Sequence, residues 1–560
     1  MSYQRELLSY LANIIIFKDI NVKELLLADS TINPDGTREI TYDEAKSSSI
    51  TGAILKAAIN PSDNNTDIVS FEELRYFTGL NKIATDTFKG CSNLKDIRFP
   101  SVFGQALDNN ILSGAAVEVL HLEGFTSLVS QVINYTSNSK FGYLPDLTEV
   151  WIPDLESLQG VCFSSTQQPN VAKIIISSVE QWLKIQIVNQ AGNVLPSVGG
   201  NASLFLTSDL EHPVTTITTL SQAIPNVTTV PTVFAYSLAG LKNITSITIG
   251  AQNTAVEKGA FSNLPNTVTV SNFGYITAVD ESSFRNCKAM GTETFPTGII
   301  TVKEHSFSNS ALTKVESDAL KDIQDMYTFY SSPITSVKID NCDLANSGSR
   351  PPQGSFEACT SLTEISANSM PYIPASILKN CSALTTASFT SATRIKYNAF
   401  FQCSKLTTLN APNITYIEHD AFYECLALEN TGLNFNLGNV VSIGQLAFKG
   451  CSEITCPCVF YNLNFIGENA FGGAKSPTEK YVVFKYQGVV QYELGQQQLY
   501  ALGTFGTVGG YITAIYVPDG NLTIDGVTKT YLQWYQEDAF WSEYVSRNNL
   551  TLDVESNIPT

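Results

Sequence analysis

The sequence predicts a solenoid of short, β-rich coils stacked on one another, with parallel β-sheet along one face and a small helical region at the N-terminal end. Two observations carry that expectation. Cys359, Cys381, Cys403 and Cys425 stand 22 residues apart, and each closes one recurring phrase. Charged residues make up only 15% of the chain, and Thr, Ser and Asn take their place, which suits many short strands and turns better than long solvated helices. One such coil cannot bury its own apolar edge. Stacking solves this, because equivalent positions then line up as internal ladders.

Residues 1–70 hold no copy of the phrase. Leu7, Leu8, Leu11, Ile14 and Ile15 recur at steps of three and four, which predicts an amphipathic helix from about Tyr3 to Phe17. A second helix or helical turn is expected from Tyr42 through Glu44 and Ala45 to Ile59. The segment is expected to cap the first coil or to attach the protein to a larger assembly. Its apolar run, Leu7 to Phe17, falls far short of the roughly 20 residues of a membrane span. With Glu6 before it and the charged stretch Lys18–Glu24 after it, the run does not read as a secretory leader, so a chain made in the cytosol is expected, the alternative being a leader removed before this numbering begins.

Residues 71–235 carry degenerate, elongated copies. The frame opens with Ile83, Phe88, Cys91, Leu94 and Ile97, turns irregular from Ser101 to about Pro231, and keeps Trp151-Ile152-Pro153 as its clearest strand phrase. Residues 236–510 are regular. Around Cys403 the phrase runs Ile395, Phe400, Cys403, Leu406, Leu409; around Cys425 it runs Ile417, Phe422, Cys425, Leu428. Further copies are centred on Cys287, Cys381 and Cys451. Residues 511–560 leave the frame and are expected to close the stack. A period of 20–29 residues with Leu or Ile at steps of three is the pattern of a leucine-rich-repeat solenoid, a right-handed superhelix of coils. Leu406–Leu409 is expected to supply a strand, and Ala-Phe-x-x-Cys the return on the opposite side.

The cysteines read as core, not as chemistry. Some copies lose sulfur and keep the frame: Leu264 follows Phe261, Ser310 follows Phe307, and Ala474 follows Phe471. A slot that accepts Leu, Ser and Ala needs a small or medium buried group. Cys456-Pro-Cys458 is a lone C-x-C without the second pair of a zinc site.

Catalytic patterns are sparse. The four histidines are His121, His212, His305 and His419; His305 and His419 precede the repeat's Phe307 and Phe422 and are expected on solvated surface. No H-E-x-x-H, G-x-S-x-G or C-x-x-C occurs. Gly467 to Ser476 imitates a phosphate loop with Lys475 displaced, but already reads as a repeat copy. Asp519 to Gly526 lacks the alternating carboxylates of a calcium loop and is expected to turn. The sequon at Asn413 falls on a strand phrase. No catalytic, cofactor-binding or metal residue is assigned, no cofactor is expected, and the ligand-binding residues are unknown. With 33 Lys and Arg against 52 Asp and Glu, a net charge of −19, and no basic cluster, nucleic acid and anionic membrane are not expected as partners.

The phrase I-x-x-x-A-F-x-x-C-x-x-L-x-x-I resembles the BspA-like (Treponema-type) leucine-rich repeats of bacteria and some bacteriophages. Ser178, Glu180 and Trp182, followed by Leu204 and Leu206, resemble a segment that long members carry between repeat blocks. Ile515–Asp519 with Tyr531, Trp534, Trp541 and Tyr544 resembles the family's closing unit. The resemblance implies adhesion and recognition rather than catalysis, without a cofactor.

The functional expectation follows from surface. Thr363-Glu364, Thr385-Thr386 and Thr407-Thr408 should lie side by side on one neutral, polar sheet face. Such a face would engage a host-surface glycan or protein. The expected setting is a bacteriophage virion, as a tail or collar fibre. Residues 1–70 would attach it to other virion proteins, through Leu7, Leu11, Ile14 and Ile15, as a homo-oligomer. The alternative is a bacterial cell-surface adhesin.

Overall fold

The computed structural model describes residues 11–80, 82–100, 107–129, 140–159, 162–163, 167–188, 202–219, 232–233, 235–250, 254–265, 268–288, 295–344, 351–493, 504–505 and 512–558. The chain is a leucine-rich-repeat protein: many short parallel strands, few helices, and two compact units, Met1–Phe273 and Gly274–Thr560.

Residues 13–17 of the N-terminal unit differ from their expectation. Of the helix proposed over Tyr3–Phe17, residues 1–10, with Leu7 and Leu8, lie outside the described residues. Leu11 and Ala12 are helical, but Ile14 forms an antiparallel bridge to Thr41, and Ile15 N–H donates to the Ile40 carbonyl at 2.9 Å. Pairing of Ile14 and Ile15 with the 40–41 segment thus overrides the helical spacing there. Among the described residues the first full helix is Ile20–Leu27, capped by the Asp19 carboxylate on Asn21 N–H. Helices Tyr42–Ala45 and Gly52–Ile59 follow, the first closed by a capping box between Thr41 and Glu44.

Strands Ser70–Phe71, Asp96–Arg98, Val119–His121, Glu149–Trp151, Lys173–Ile176 and Ser203–Leu206 then form one parallel six-stranded sheet. Its register aligns Ile97, Leu120, Val150, Ile174 and Leu204, all fully buried, so one aliphatic ladder runs through coils of unequal length. Trp182, on the short helix Val179–Lys184, is buried and its Nε1–H donates to the Ser237 carbonyl at 2.6 Å.

The C-terminal unit is regular. Strands Lys314–Glu316, Ser336–Lys338, Glu364–Ser366, Thr386–Ser388 and Thr408–Asn410 form a parallel five-stranded sheet. A second row, from Arg394–Ile395 through Tyr416–Ile417, Ser442–Ile443 and Phe465–Gly467 to Gln491–Glu493, runs beside the turns.

Each turn holds a ring and a thiol or its substitute. Phe284, Phe307, Phe329 and Phe356 stack at 4.9–5.5 Å and within 10° of parallel. Leu378 interrupts them, and Phe400, Phe422, Phe448 and Phe471 resume at 5.0–5.2 Å. That spacing is close to the separation of paired strands, so ring stacking and strand pairing share one rise.

Ten of the eleven cysteines are buried, Cys458 is half-buried, and all are free thiols. The slot has a polar duty that its sequence substitutions did not reveal. Cys381 Sγ donates to the Phe356 carbonyl, Cys403 to that of Leu378 and Cys425 to that of Phe400, each at 3.1 Å. Ser332 occupies the same slot and donates to the Phe307 carbonyl at 2.9 Å. A hydroxyl therefore substitutes for a thiol as the second donor to a carbonyl that also accepts a backbone N–H, as that of Leu378 does from Cys381 at 3.0 Å. Burial pushes the Cys359 thiol up to about 12, which keeps it out of thiolate chemistry.

Two residues per turn take left-handed backbone: the one before the Cys slot (Asn380, Gln402, Glu424) and the one two before the Phe slot (Ser376, Asn398, Asp420). Their N–H groups feed the next coil, as Gln402 to the Tyr423 carbonyl at 2.7 Å and Asn398 to that of His419 at 3.2 Å. Gly450 and Gly473 meet the same demand without a Cβ. The unit ends beneath helices Tyr531–Glu537 and Ala539–Arg547. Trp541 Nε1–H donates to the Val490 carbonyl at 2.7 Å, Val490 N–H donates to Tyr535 Oη at 2.9 Å, and both rings pack on Phe484. Asp525-Gly526, both left-handed, form the tight turn of a hairpin, Asn521–Ile524 with Val527–Thr530.

Candidate functional site

The five-stranded sheet of the C-terminal unit presents Lys314 and Glu316, Ser336 and Lys338, Glu364 and Ser366, Thr386 and Ser388, and Thr408 and Asn410. Alternation along each strand sends Val315, Val337, Ile365, Ala387 and Leu409 into the core and leaves these residues outward. Two cations and two carboxylates balance over the face. All of these outward side chains except that of Lys314 line a hollow of about 340 Å³.

A hydrogen-bonded relay runs along one margin. Ser366 Oγ donates to the Asp340 carboxylate, and Asn368 Nδ2 donates to the same carboxylate at 2.8 Å. Ser388 Oγ donates to Asn368 Oδ1 at 2.7 Å, Asn410 Nδ2 to Ser388 Oγ at 3.2 Å, and Asn434 Nδ2 to Asn410 Oδ1 at 2.6 Å. Each side chain fixes its neighbour's rotamer, so these polar groups are oriented before any ligand arrives.

The threonines divide into two sets. Glu364, Thr386 and Thr408 align across the sheet as the sequence indicated. Thr363, Thr385 and Thr407, one residue earlier, are exposed but turn their hydroxyls to the preceding coil. Thr385 Oγ1 donates to the Thr363 carbonyl at 2.9 Å and Thr407 Oγ1 to that of Thr385 at 3.1 Å. This set holds coils together, and Thr386 and Thr408 are the members turned to solvent.

The N-terminal unit builds a face of another kind, which sequence reasoning missed. Glu72 follows the first strand, Asp96 and Arg98 lie on the second, His121 on the third, and Glu149 and Trp151 on the fourth. Lys18 Nζ lies 2.7 Å from Glu72 and 3.6 Å from Asp96. His121 Nδ1 lies 3.0 Å from Glu123, and its ring packs at 5.2 Å on Trp151, whose Nε1–H donates to Glu149 at 2.6 Å. The hydrogen bond from Lys18 holds the Glu72 carboxyl below the usual carboxylate range. Desolvation, with Glu72 beside it, raises that of Asp96. The signal in sequence was faint, because 23 to 30 residues separate these strands and no repeated phrase marks them.

Other singled-out residues fall as follows. His419 is exposed. His305 is only half-buried rather than solvated: it has left-handed backbone, stacks at 5.6 Å on Tyr327, and desolvation lowers its pKa. His121 is buried and His212 exposed beside Asp209. The phosphate-loop imitation is a repeat coil, with Phe471 in the ring stack and Lys475 paired to Glu453 at 2.7 Å. Among the described residues no group of three or more His, Cys, Asp or Glu stands placed to hold a metal ion, and no helix is long and apolar enough to cross a membrane.

Residues 65–184, 220–335, 294–403 and 371–484 match the pattern of the BspA type leucine rich repeat region, in six copies. No curated protein matches the chain. Similar solved structures include a leucine-rich repeat protein from Eubacterium ventriosum, at 16% identity over 69% of this chain and 85% of that one, with a TM-score of 0.32. A leucine rich cell surface protein from Faecalibacterium prausnitzii matches at 16% identity over 52% of this chain and 79% of that one, TM-score 0.27. A leucine-rich repeat protein from Bacteroides ovatus matches at 14% identity over 77% and 88%, TM-score 0.26. At those scores the structural likeness adds nothing to the sequence match.

Proposed function

Since the chain belongs to the BspA-type leucine-rich-repeat family, a family of binding and structural repeat proteins, we propose that it is a non-catalytic recognition protein that engages a host-surface glycan or protein. The observation that carries this reading is the charge-balanced C-terminal face from Lys314 to Asn410, whose hydroxyl and amide groups are held in place by the relay from Asp340 to Asn434. Preorganised polar groups lower the ordering entropy of binding, and many weak hydrogen bonds over a broad face suit glycans and extended protein surfaces.

The proposed setting is a bacteriophage virion, as a tail or collar fibre-like component, assembled as a homo-oligomer through its N-terminal segment. Supporting attachment there, Leu11, Ile16 and Ile20 are 56%, 86% and 60% exposed, whereas Ile15, named for docking from the sequence, is buried in the core. The second reading, a bacterial cell-surface adhesin, keeps the same binding face and draws on the adhesive role that the repeat family implies.

The test uses the full chain. Thr386→Arg with Thr408→Arg should lower binding to envelope preparations of the host at least about tenfold while leaving the melting temperature unchanged. Unaltered binding would remove this face from the account. Mass spectrometry of purified virions separates the settings: peptides of this chain among capsid and tail proteins support the virion, and their recovery only in a bacterial envelope fraction supports the adhesin.

A further inference from the structure

We propose that a second site, the groove beside the Arg394–Ile395 strand, binds an acidic saccharide, a short run of sugars carrying carboxylates. The groove has a volume of about 630 Å³ and is lined by Pro351, Tyr372, Arg394, Lys396 and Tyr397 among others. That size lies within the range of small-ligand sites.

Charge is the first argument. Arg394 Nη1 lies 3.3 Å and Lys396 Nζ 3.1 Å from the same carboxylate, that of Glu418. One carboxylate between two cations leaves a local positive excess, in a chain whose net charge is −19. The groove therefore attracts an anion that the rest of the protein would repel. Both side chains are partly shielded, 41% and 35% exposed, so an incoming carboxylate meets them in a medium less screening than bulk water.

Placement is the second. The Arg394 guanidinium sits 4.4 Å from the Tyr416 ring centroid and Lys396 Nζ 5.9 Å from that of Tyr372. Ring and carboxylate together hold the guanidinium, whose planar fork matches a carboxylate bidentately.

The walls select a sugar over a peptide. Tyr397, itself stacked at 5.1 Å on His419, together with Tyr372 and the prolines, supplies apolar surface that suits the C–H face of a pyranose. An acidic peptide would need backbone partners, and the groove floor has its own already paired. Ile373 N–H donates to the Arg394 carbonyl at 2.8 Å, and Lys396 N–H to the Ile373 carbonyl at 3.0 Å.

Isothermal titration of the full chain tests this with 3′-sialyllactose against lactose, trigalacturonate against maltotriose, and tetraglutamate as the acidic peptide. One acidic saccharide should bind at least about tenfold more tightly than its neutral counterpart and than tetraglutamate. Added salt should weaken it. Arg394→Ala and Tyr372→Ala should each lower the affinity about tenfold, and Arg394→Lys should restore part of the loss, with melting curves unchanged. Thr386→Arg, on the other sheet, should leave this binding intact, which separates the groove from the face proposed above. Binding of neither acidic saccharide, equal binding of the neutral sugars or of tetraglutamate, or indifference to Arg394→Ala would overturn the assignment.

Discussion

The two units solve the same stacking problem with different surfaces. In the C-terminal unit coils of 22 to 24 residues bring like residues together: threonine beside threonine, asparagine beside asparagine, ring on ring. In the N-terminal unit the coils vary in length, so Glu72, Asp96, His121 and Glu149 arrive on neighbouring strands from unrelated stretches of sequence. The core ladder survives because Ile97, Leu120, Val150 and Ile174 keep register. The surface does not repeat. Regular coils therefore give a face whose polar groups satisfy one another, and irregular coils give a titrating cluster in which Asp96 Oδ1 and Arg98 Nε are buried without a hydrogen-bond partner.

The largest effect expected from breaking this comparison lies in the ring stack. Phe422→Ala removes a fully buried ring between Phe400 and Phe448 and should cost about 3–5 kcal/mol. Limited proteolysis should cut near the altered coil and spare distant ones, as expected where each repeat contacts only its neighbours. Uniform collapse would contradict ladder stability.

The thiol slot sharpens the same point. Cys403→Ser keeps the second donor to the Leu378 carbonyl, as Ser332 does for that of Phe307, and should cost less than Cys403→Val, which leaves that carbonyl with the Cys381 N–H alone. Thermal melts of the two variants decide it. Denatured protein should titrate eleven free thiols, and three or more disulfide pairs would contradict the core reading.

The repeated positions were legible in the sequence because a fixed period makes Phe400, Cys403 and Leu409 recognisable in any one copy. The left-handed positions were not, since Asn380, Gln402 and Glu424 share a backbone conformation and no side-chain type. The polar margin was half legible. Thr363, Thr385 and Thr407 stood out as a set, but which hydroxyls bridge coils depends on side-chain direction, which spacing does not encode. The Lys18, Glu72, Asp96 and His121 cluster was hidden, because loops of unequal length separate its members and Lys18 comes from outside the repeats. The Tyr372 and Arg394 groove was hidden for another reason, since its residues hold equivalent positions in three consecutive coils but share no side-chain type, as Gln353, Ala375 and Tyr397 do not.

A smaller effect concerns pH and separates the two faces. The folded Asp96 carboxyl binds its proton more tightly than the unfolded one, mainly through desolvation, so stability is lost as pH rises from the unfolded pKa through the folded one, and Asp96 opposes folding fully above it. Asp96→Asn should therefore raise the stability of the N-terminal unit at pH 7, with the gain vanishing in acid. Glu72 has the opposite sign: held low by Lys18, it stabilises the fold above the usual carboxylate range and loses that contribution as pH falls through its folded pKa, so Glu72→Gln should destabilise at pH 7. Melts between pH 3 and 7 check both directions. Thr408→Val, on the neutral face, should change stability by less than about 0.5 kcal/mol at any of these pH values.

We propose that recognition belongs to the regular, neutral face of the C-terminal unit. Carbodiimide labelling of carboxylates in the full chain, with and without bound host-envelope fragments and read by mass spectrometry, tests it most directly. Glu316 and Glu364, on the C-terminal sheet, should lose label on binding, while Glu149 and Glu123, beside His121 and Trp151, keep it. Protection of Glu149 and Glu123 with Glu316 and Glu364 fully labelled would contradict the claim and move recognition to the irregular unit.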